Sequence, residues 1–449
     1  MKTASPDSQL LALAWLKART DAQGGLAVSN VNPRPYPEVT GYAIPTLLHC
    51  GEHRLAHKMA KWLVRIQNED GSFPGIDGEP QIFDTGQVLR GMLSVRVAVP
   101  EVSDCIARAV DWMLSQVDRS KMKWERPRGP SWRGIPEGIL LYALAPLQEG
   151  LTIGKHPSDS STTLGRLTAY YARRTRVRTN SHFLGYIGAG LLEIGQAKAA
   201  RRAVRRRHTA TWPGMAQLAE TRFRLGNYRV GEQLLASMAA SQLPSGGWTG
   251  GSREYFDHEE ISWGPKFYLD ACSAMQKAWF DRDLQSVPES IPESDERLAV
   301  VLSALGDIRG LRVLDAGCGK GRFLRHLERR FPSAQLSACD FSSEALEFVP
   351  DGVEARVGEL TNLPYPSSTF DAVFCVEALE HAVFIDQAIA EMKRVVRKGG
   401  KLVVLDKSEA KRGSLPMAPW EQWFPEDLSP TSLPLTTEDG LFRLWVFDV

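Results

Sequence analysis

Two rhythms of apolar positions run along the chain. Up to about residue 285, apolar residues recur every three or four positions in runs of about a dozen, the spacing of helices with a buried face. Beyond it, short runs such as LRVLDA (311–316), QLSACD (335–340) and KLVVLD (401–406) alternate with amphipathic stretches such as RFLRHLERRF (322–331). Alternating strands and helices of this kind predict a parallel sheet covered by helices on both faces, with ligands beyond the carboxyl ends of the strands. Between the two textures lies LQSVPESIPESDE, residues 284–296, with two prolines among acids and hydroxyls, the composition of a linker. The expected division is an all-α domain over 1–284, a linker over 285–296 and an α/β domain over 297–449.

The first part repeats itself. Trp15, Trp62 and Trp112 begin the phrases AWLKARTDAQGGL, KWLVRIQNEDGSF and DWMLSQVDRSKMKW, spaced by 47 and 50 residues, and a later copy reads MAASQLPSGGW (238–248). Each is a helix running into a polar turn. A second helix follows, starting at PEVTGYAIPTLL (37–48), FDTGQVLRGML (83–93), IPEGILLYAL (135–144), NSHFLGYIGAGLL (180–192), WPGMAQLAETRF (212–223) and EISWGPKFYLDA (260–271). A repeat of this length implies a solenoid or closed array, because one helical pair cannot bury its apolar stripe alone. The second helices are small and apolar on most faces, which predicts an inner ring of about six, with the Trp-bearing helices outside.

Composition changes little. Lys plus Arg (54) balances Asp plus Glu (53), so whole-chain charge selects no partner. No apolar run is long enough for a membrane span, and the first residues lack the pattern of a signal peptide. The six cysteines (Cys50, Cys105, Cys272, Cys318, Cys339, Cys375) are scattered without a CxxC pair and read as reduced thiols of a cytoplasmic protein, with the inner face of the membrane as a peripheral station.

The repeat phrases QNEDGSF…FDTGQVLRGM and SGGW…EISW resemble those of the α/α-toroid superfamily, which includes terpenoid cyclases and the prenyltransferase β subunit; the likeness spans about residues 8–280. YPEVTGYAIPTLL also resembles a phrase in toroid proteins of bacterial surface-polysaccharide clusters. The D-x-D-D run that protonates a terpene is missing. Asp270 and Cys272 mimic a prenyltransferase zinc pair, but the next downstream histidine, His326, falls in the other part, so no metal is expected. Glu38, Asp84, Glu137, His182 and Glu260 fall at or near the starts of the inner helices. Acids there either complement helix dipoles or form a polar rim for a hydroxyl-rich ligand such as a sugar. Trp132, Trp212, Trp248 and Trp263 would then stack on it or pack in the core. YARRTRVR (171–178) and RRAVRRRH (201–208) form a basic stretch. On a helix, Arg201/Arg205 and Arg202/Arg206 would repel at i,i+4. Arg201 to Arg207 is therefore either a solvated face or a contact for an anion, a phosphate or lipid headgroup. No motif for sequence-specific nucleic-acid reading accompanies it.

The second part carries the chemistry. Asp315-Ala-Gly317-Cys318-Gly319-Lys-Gly321 spaces its glycines G-x-G-x-G, unlike the dinucleotide fingerprint G-x-G-x-x-G. The glycines let backbone approach a ligand, and Asp315 suits a cation better than a pyrophosphate. Asp340 ends the next strand 25 residues later, where an acid can accept from both ribose hydroxyls, and Phe341 can pack on a base. These features resemble the class I S-adenosylmethionine (SAM) methyltransferases. VLDAGCGKGRF matches their first motif and ACDFS the second. VGELTNLPYPSSTFDAVFCVEALEHA matches the third and fourth, and EMKRVVRKGGKLVVLD the fifth, over about residues 297–449.

The resemblance implies a Rossmann-like domain closed by a terminal β-hairpin. It also implies SAM held by Asp315, Gly317, Cys318, Gly319 and Gly321 at the methionine part, Asp340 at the ribose, and Phe341 and Glu359 at the adenine. Leu360 would offer backbone contact, and Cys375, Val376 and Glu377 would border the methyl group. A hydroxyl acceptor gains from a general base; His381 is the first candidate, with Glu377, Glu380 and Asp406 as alternatives. The acceptor would be contacted by the loop and APWEQWF helix over 407–430, by the loop after the fourth strand, or by the toroid. The leading expectation is O-methylation of a sugar in a bacterial surface glycan or glycolipid precursor. The alternatives are methylation of a terpenoid or other lipid, and a toroid that serves as an interaction scaffold.

Overall fold

The computed structural model describes residues 5–125, 134–253, 255–407, 435–437 and 441–449. Trp132, the APWEQWF segment and most of the expected TEDG turn lie outside the described residues. The chain divides into two compact units, Met1–Leu48 with Glu52–Met275, and His49–Gly51 with Gln276–Val449.

The first unit is helical. Its helices are α1 (Pro6–Ala18), α2 (Pro37–His49), α3 (His53–Ile66), α4 (Ile82–Val95), α5 (Val102–Ser115), α6 (Leu144–Gly150), α7 (Ser160–Ala172), α8 (Ser181–Glu193), α9 (Ala197–Ala203), α10 (Trp212–Arg224), α11 (Tyr228–Ala240) and α12 (Trp263–Asp283), the last running beyond the unit. Two kinds alternate. In α3 only Ala56, Met59, Ala60, Trp62 and Leu63 are buried, a single stripe. In α4, by contrast, Asp84, Thr85 and Gln87 are buried along with the apolar residues, and α2 and α8 are enclosed in the same way. Such enclosure requires close backbones, and glycine supplies them. A Cβ on Gly41 of α2 would stand 2.5 Å from the Val88 Cα of α4, and one on Gly91 would stand 2.2 Å from the Gly41 carbonyl oxygen.

The two ends of the unit meet. Trp15 Nε1 donates to Glu260 at 2.7 Å, Tyr268 donates its hydroxyl to Ser8 at 2.9 Å, and Ser29 bridges Ile261. Two expectations change. The segment 135–144 starts as a 3₁₀ helix, Glu137–Ala143, before α6; Gly138 and Pro146 are poor α formers. The basic helix α9 stops at Ala203, so Arg205 and Arg206 lie beyond it and the i,i+4 repulsion does not arise. Arg201 turns its guanidinium to the Leu225 carbonyl at 3.1 Å, while Arg202, Arg205 and Arg207 are exposed.

The second unit holds a mixed sheet. Its strands are β1 (Arg312–Ala316), β2 (Gln335–Asp340), β3 (Glu354–Val357), β4 (Phe370–Val376), β5 (Val396–Lys407), β6 (Leu435–Thr436) and β7 (Phe442–Asp448), in the order β3-β2-β1-β4-β5-β7-β6. The first five run parallel, while β7 pairs antiparallel with β5 and with β6, the expected terminal hairpin. Successive side chains go to opposite faces. Val313, Phe374, Val403, Leu405 and Leu444 join one core with Leu298 and Val301 of α13 (Glu296–Leu305) and with Leu324 and Leu327 of α14 (Leu324–Arg330). Leu314, Val373, Cys375, Leu402, Val404 and Trp445 join the other with Ile389 and Met392 of α15 (Ile385–Val395). Sheets covered on both faces need such continuous apolar strands. Among the described residues no helix is long and apolar enough to cross a membrane.

Candidate functional site

The carboxyl ends of β1, β2 and β4 bring together the chemistry of the second unit. After β1 the chain turns through Gly317, Gly319 and Gly321 at φ of 78°, 52° and 76°, which residues with a Cβ rarely adopt. Gly317 and Cys318 donate their N–H groups to the Cys339 carbonyl at 2.8 and 3.1 Å, so the turn folds back over β2. A Cβ on Gly317 would also stand 2.4 Å from that of Ala378.

Asp340 ties two loops together. Its Oδ2 accepts from Gly319 N at 2.9 Å and its Oδ1 from Ser342 N at 2.9 Å. Burial pushes the carboxyl up to about 6 against the lowering effect of those two bonds. Each oxygen keeps a lone pair for a further donor.

Asp315 differs. It is 2% exposed, and among the described residues no hydrogen bond reaches its carboxylate. Burial holds its pKa well above the carboxylate range; the nearby Arg322 guanidinium opposes this and Asp340 adds to it. The Asp315 carboxylate can still accept from the amino group of an incoming ligand. Phe341 is half-buried, its ring 5.2 Å from that of Phe280.

Glu359 and Leu360 follow β3, both half-buried, with Asn362 N donating to the Glu359 carbonyl at 2.9 Å. Cys318 is nearly buried and donates its thiol to the Gly319 carbonyl at 3.4 Å. Cys375 is fully buried and faces the sheet's core, as Val376 faces the core on the opposite side. Either would meet a ligand through its backbone.

Glu377 stands just past β4 in the left-handed region, φ 52°, unusual for a residue with a side chain. Its Oε2 accepts from Arg297 Nη1 at 2.7 Å and also from Arg322 Nη2. Two guanidiniums occupy that one carboxylate oxygen, so the geometry makes Glu377 an anchor for Arg322 beside Asp315. His381 ends the 3₁₀ turn Leu379–His381, with its side chain 41% exposed and Nε2 3.5 Å from Glu380 Oε1. Glu380 is 1% exposed and accepts from Lys407 Nζ at 2.7 Å. Asp406, fully buried, accepts the Glu380 N–H at 3.1 Å and the Lys407 N–H at 2.9 Å. Burial raises both carboxyls; Glu380 raises Asp406 further. Arg297, Arg322 and Lys407 were not legible as site residues, since their roles depend on partners distant in sequence.

The acids expected at the inner helix starts of the first unit separate into two sets. Glu38 and Asp84 lie in the first turns of α2 and α4 and act on one another electrostatically. His182 lies in α8, its ring 4.6 Å from that of Tyr186 and 5.5 Å from that of Tyr255. Glu137 pairs instead with Arg174 at 3.3 Å and Lys123 at 3.8 Å. Glu260 lies before α12, bonded to Trp15 and Ser245. Of the tryptophans, Trp248 is buried with its N–H on the Met238 carbonyl, Trp212 is half-buried, and Trp263 donates to the Tyr255 hydroxyl at 2.9 Å. Asp270 is taken by Lys266 and Thr46, at 2.5 and 2.6 Å.

The methyltransferase domain family matches residues 314–404, within the second unit. The fatty-acid O-methyltransferase of Mycolicibacterium smegmatis is 35% identical over 132 residues, covering 26% of this chain and 48% of that protein. The malonyl-[acyl-carrier protein] O-methyltransferase of Methylococcus capsulatus is 35% identical over 127 residues, 26% of this chain and 46% of that one. A solved SAM-dependent methyltransferase from Aquifex aeolicus is 21% identical with a TM-score of 0.30, covering 33% of this chain and 87% of that one. The second unit thus contains a methyltransferase domain. The chain spans about half the length of the curated relatives it matches.

Proposed function

We propose that the protein is a SAM-dependent methyltransferase whose second unit holds the cofactor. The observation that carries the reading is the Asp315 carboxyl, 2% exposed beside the left-handed glycine turn that Asp340 ties to the next loop. When bound, SAM supplies a methyl group activated by a sulfonium, so the protein's task is alignment. Asp315 and the backbone of Gly317 to Gly321 would hold the amino-acid part. Asp340 would accept from the ribose hydroxyls, and Phe341 with Glu359 would border the adenine. Glu377 fixes Arg322, which tempers the charge of Asp315. His381 would take the proton of a hydroxyl acceptor, with Glu380 orienting the imidazole.

The first unit is read as an α/α toroid that binds the acceptor, in keeping with its alternating enclosed and one-faced helices and the meeting of its ends. The acceptor is a glycan hydroxyl in this reading. Acids among Tyr and Trp rings support it, since carboxylates accept from sugar hydroxyls and rings stack on sugar faces. The exposed arginines within 201–207 would meet a phosphate of the same molecule, at the inner face of a membrane or in the cytoplasm. The names of the two relatives favour a second reading, methylation of an acyl or other lipid acceptor. Transfer of radiolabelled methyl from SAM to separated glycan and lipid fractions tests both. Label in the glycan fraction supports the first, label in lipid alone replaces it with the second, and label in neither removes the activity.

A further inference from the structure

The recess around Glu38 and Asp84 has a charge problem. Asp84 is 2% exposed, and its Oδ2 accepts the Tyr36 hydroxyl at 2.5 Å. Glu38, one helical turn before Tyr42 on α2 and so on the same face, is partly reached by solvent, and burial and Asp84 together keep its carboxyl well above the usual range. No cationic side chain among the described residues pairs with either carboxyl; Lys266, the neighbouring cation, is engaged by Asp270. The Tyr42 hydroxyl, fully buried one turn along α2 from Glu38, has no hydrogen-bond partner among the described residues. Rings lie nearby. The His182 ring is 5.5 and 6.2 Å from those of Tyr255 and Trp263, and burial, opposed by the Gln217 hydrogen bond and reinforced by the Lys266 charge, lowers its pKa to about 3.

A buried carboxyl and a half-buried one with no counter-charge are stabilised by a cation. An ammonium group brings three N–H donors, and three acceptors wait for them in the Glu38 carboxyl, the Asp84 carboxyl and the Tyr42 hydroxyl. Aromatic faces attract the same group. A neutral hydroxyl would satisfy one acceptor and leave the charge unanswered.

We propose that this recess in the first unit binds a ligand bearing a protonated amino group, held by Glu38, Asp84 and Tyr42 against the Tyr255 and Trp263 rings. Only the step of calling that ligand the methyl acceptor rests on the function proposed above; the binding site stands without it. An amine carried on a sugar and one carried on an apolar ring share this chemistry, and the probes separate them.

Glucosamine and cyclohexylammonium are titrated into the full-length protein against glucose and cyclohexanol, followed by tryptophan fluorescence. At least one amine is expected to bind about tenfold or more tightly than its neutral counterpart, and Glu38→Gln and Tyr42→Phe to weaken that amine. Glucosamine alone assigns an amino sugar, and cyclohexylammonium alone an apolar amine. Equal binding of amine and neutral probe, binding of no probe, or an amine unaffected by Glu38→Gln would overturn the proposal. SAM calorimetry on the same protein keeps the two readings apart: lost SAM binding with amine binding intact overturns the methyltransferase reading alone.

Discussion

Asp315, Glu377 and His381 show how neighbours decide what a residue can do. Asp315 and Glu377 stand at strand ends and His381 in the 3₁₀ turn beyond, but Glu377 is held by two arginines while His381 is partly exposed beside a buried acid. His381→Ala is therefore expected to leave SAM affinity near normal and to slow turnover about 10²-fold or more, the span of general-base catalysis. An unaltered rate in single-turnover assays would remove it as the base. Asp84 carries a pH signature. Burial pushes it up to about 7, opposed by the Tyr36 hydrogen bond, while the unfolded chain titrates at roughly 3.9. Between those values the folded state binds the extra proton. Its contribution to stability is therefore intact below about 4 and lost as pH rises through about 7. Asp84→Asn is expected to lose roughly 2 kcal/mol less than the native protein between about pH 5 and about pH 8, a difference urea titrations measure; parallel losses would contradict the assignment.

At the scale of elements, the glycine turn joins backbone form to binding. Gly317 needs a left-handed φ and close approach to Ala378. Gly317→Ala should cost about 1–3 kcal/mol and weaken SAM binding. Gly399→Ala, also at positive φ but with nothing within 4 Å, should cost about 1 kcal/mol and leave binding alone. Equal SAM binding in both variants would separate the turn from the ligand. The turn and the strands around it were legible in the sequence because each element carries its own signal: a strand-end acid, spaced glycines, apolar runs buried on both faces. The early stop of the Arg-rich helix was not, since i,i+4 spacing is meaningful only after helix ends are known. Nor was the two-loop role of Asp340, because Gly319 N and Ser342 N reach it from either side of a strand crossover.

In the whole molecule, the repeated Trp phrases gave helical pairs and the strand–turn–helix order gave a Rossmann-like sheet. The acids at the helix starts were read together, yet Glu38 and Asp84 act on one another while Glu137 and Glu260 are spent on Arg174 and Trp15. A sequence marks a helix start; it does not say which starts converge. The account's central claim is that the second unit seats SAM on Asp315. Calorimetric titration of SAM into the native protein and into Asp315→Ala, with circular dichroism to show both folded, addresses it directly. Saturable binding by the native protein and a loss of about 100-fold or more in the variant is the expected result; equal affinity in the two, or no binding by the native protein, would contradict it.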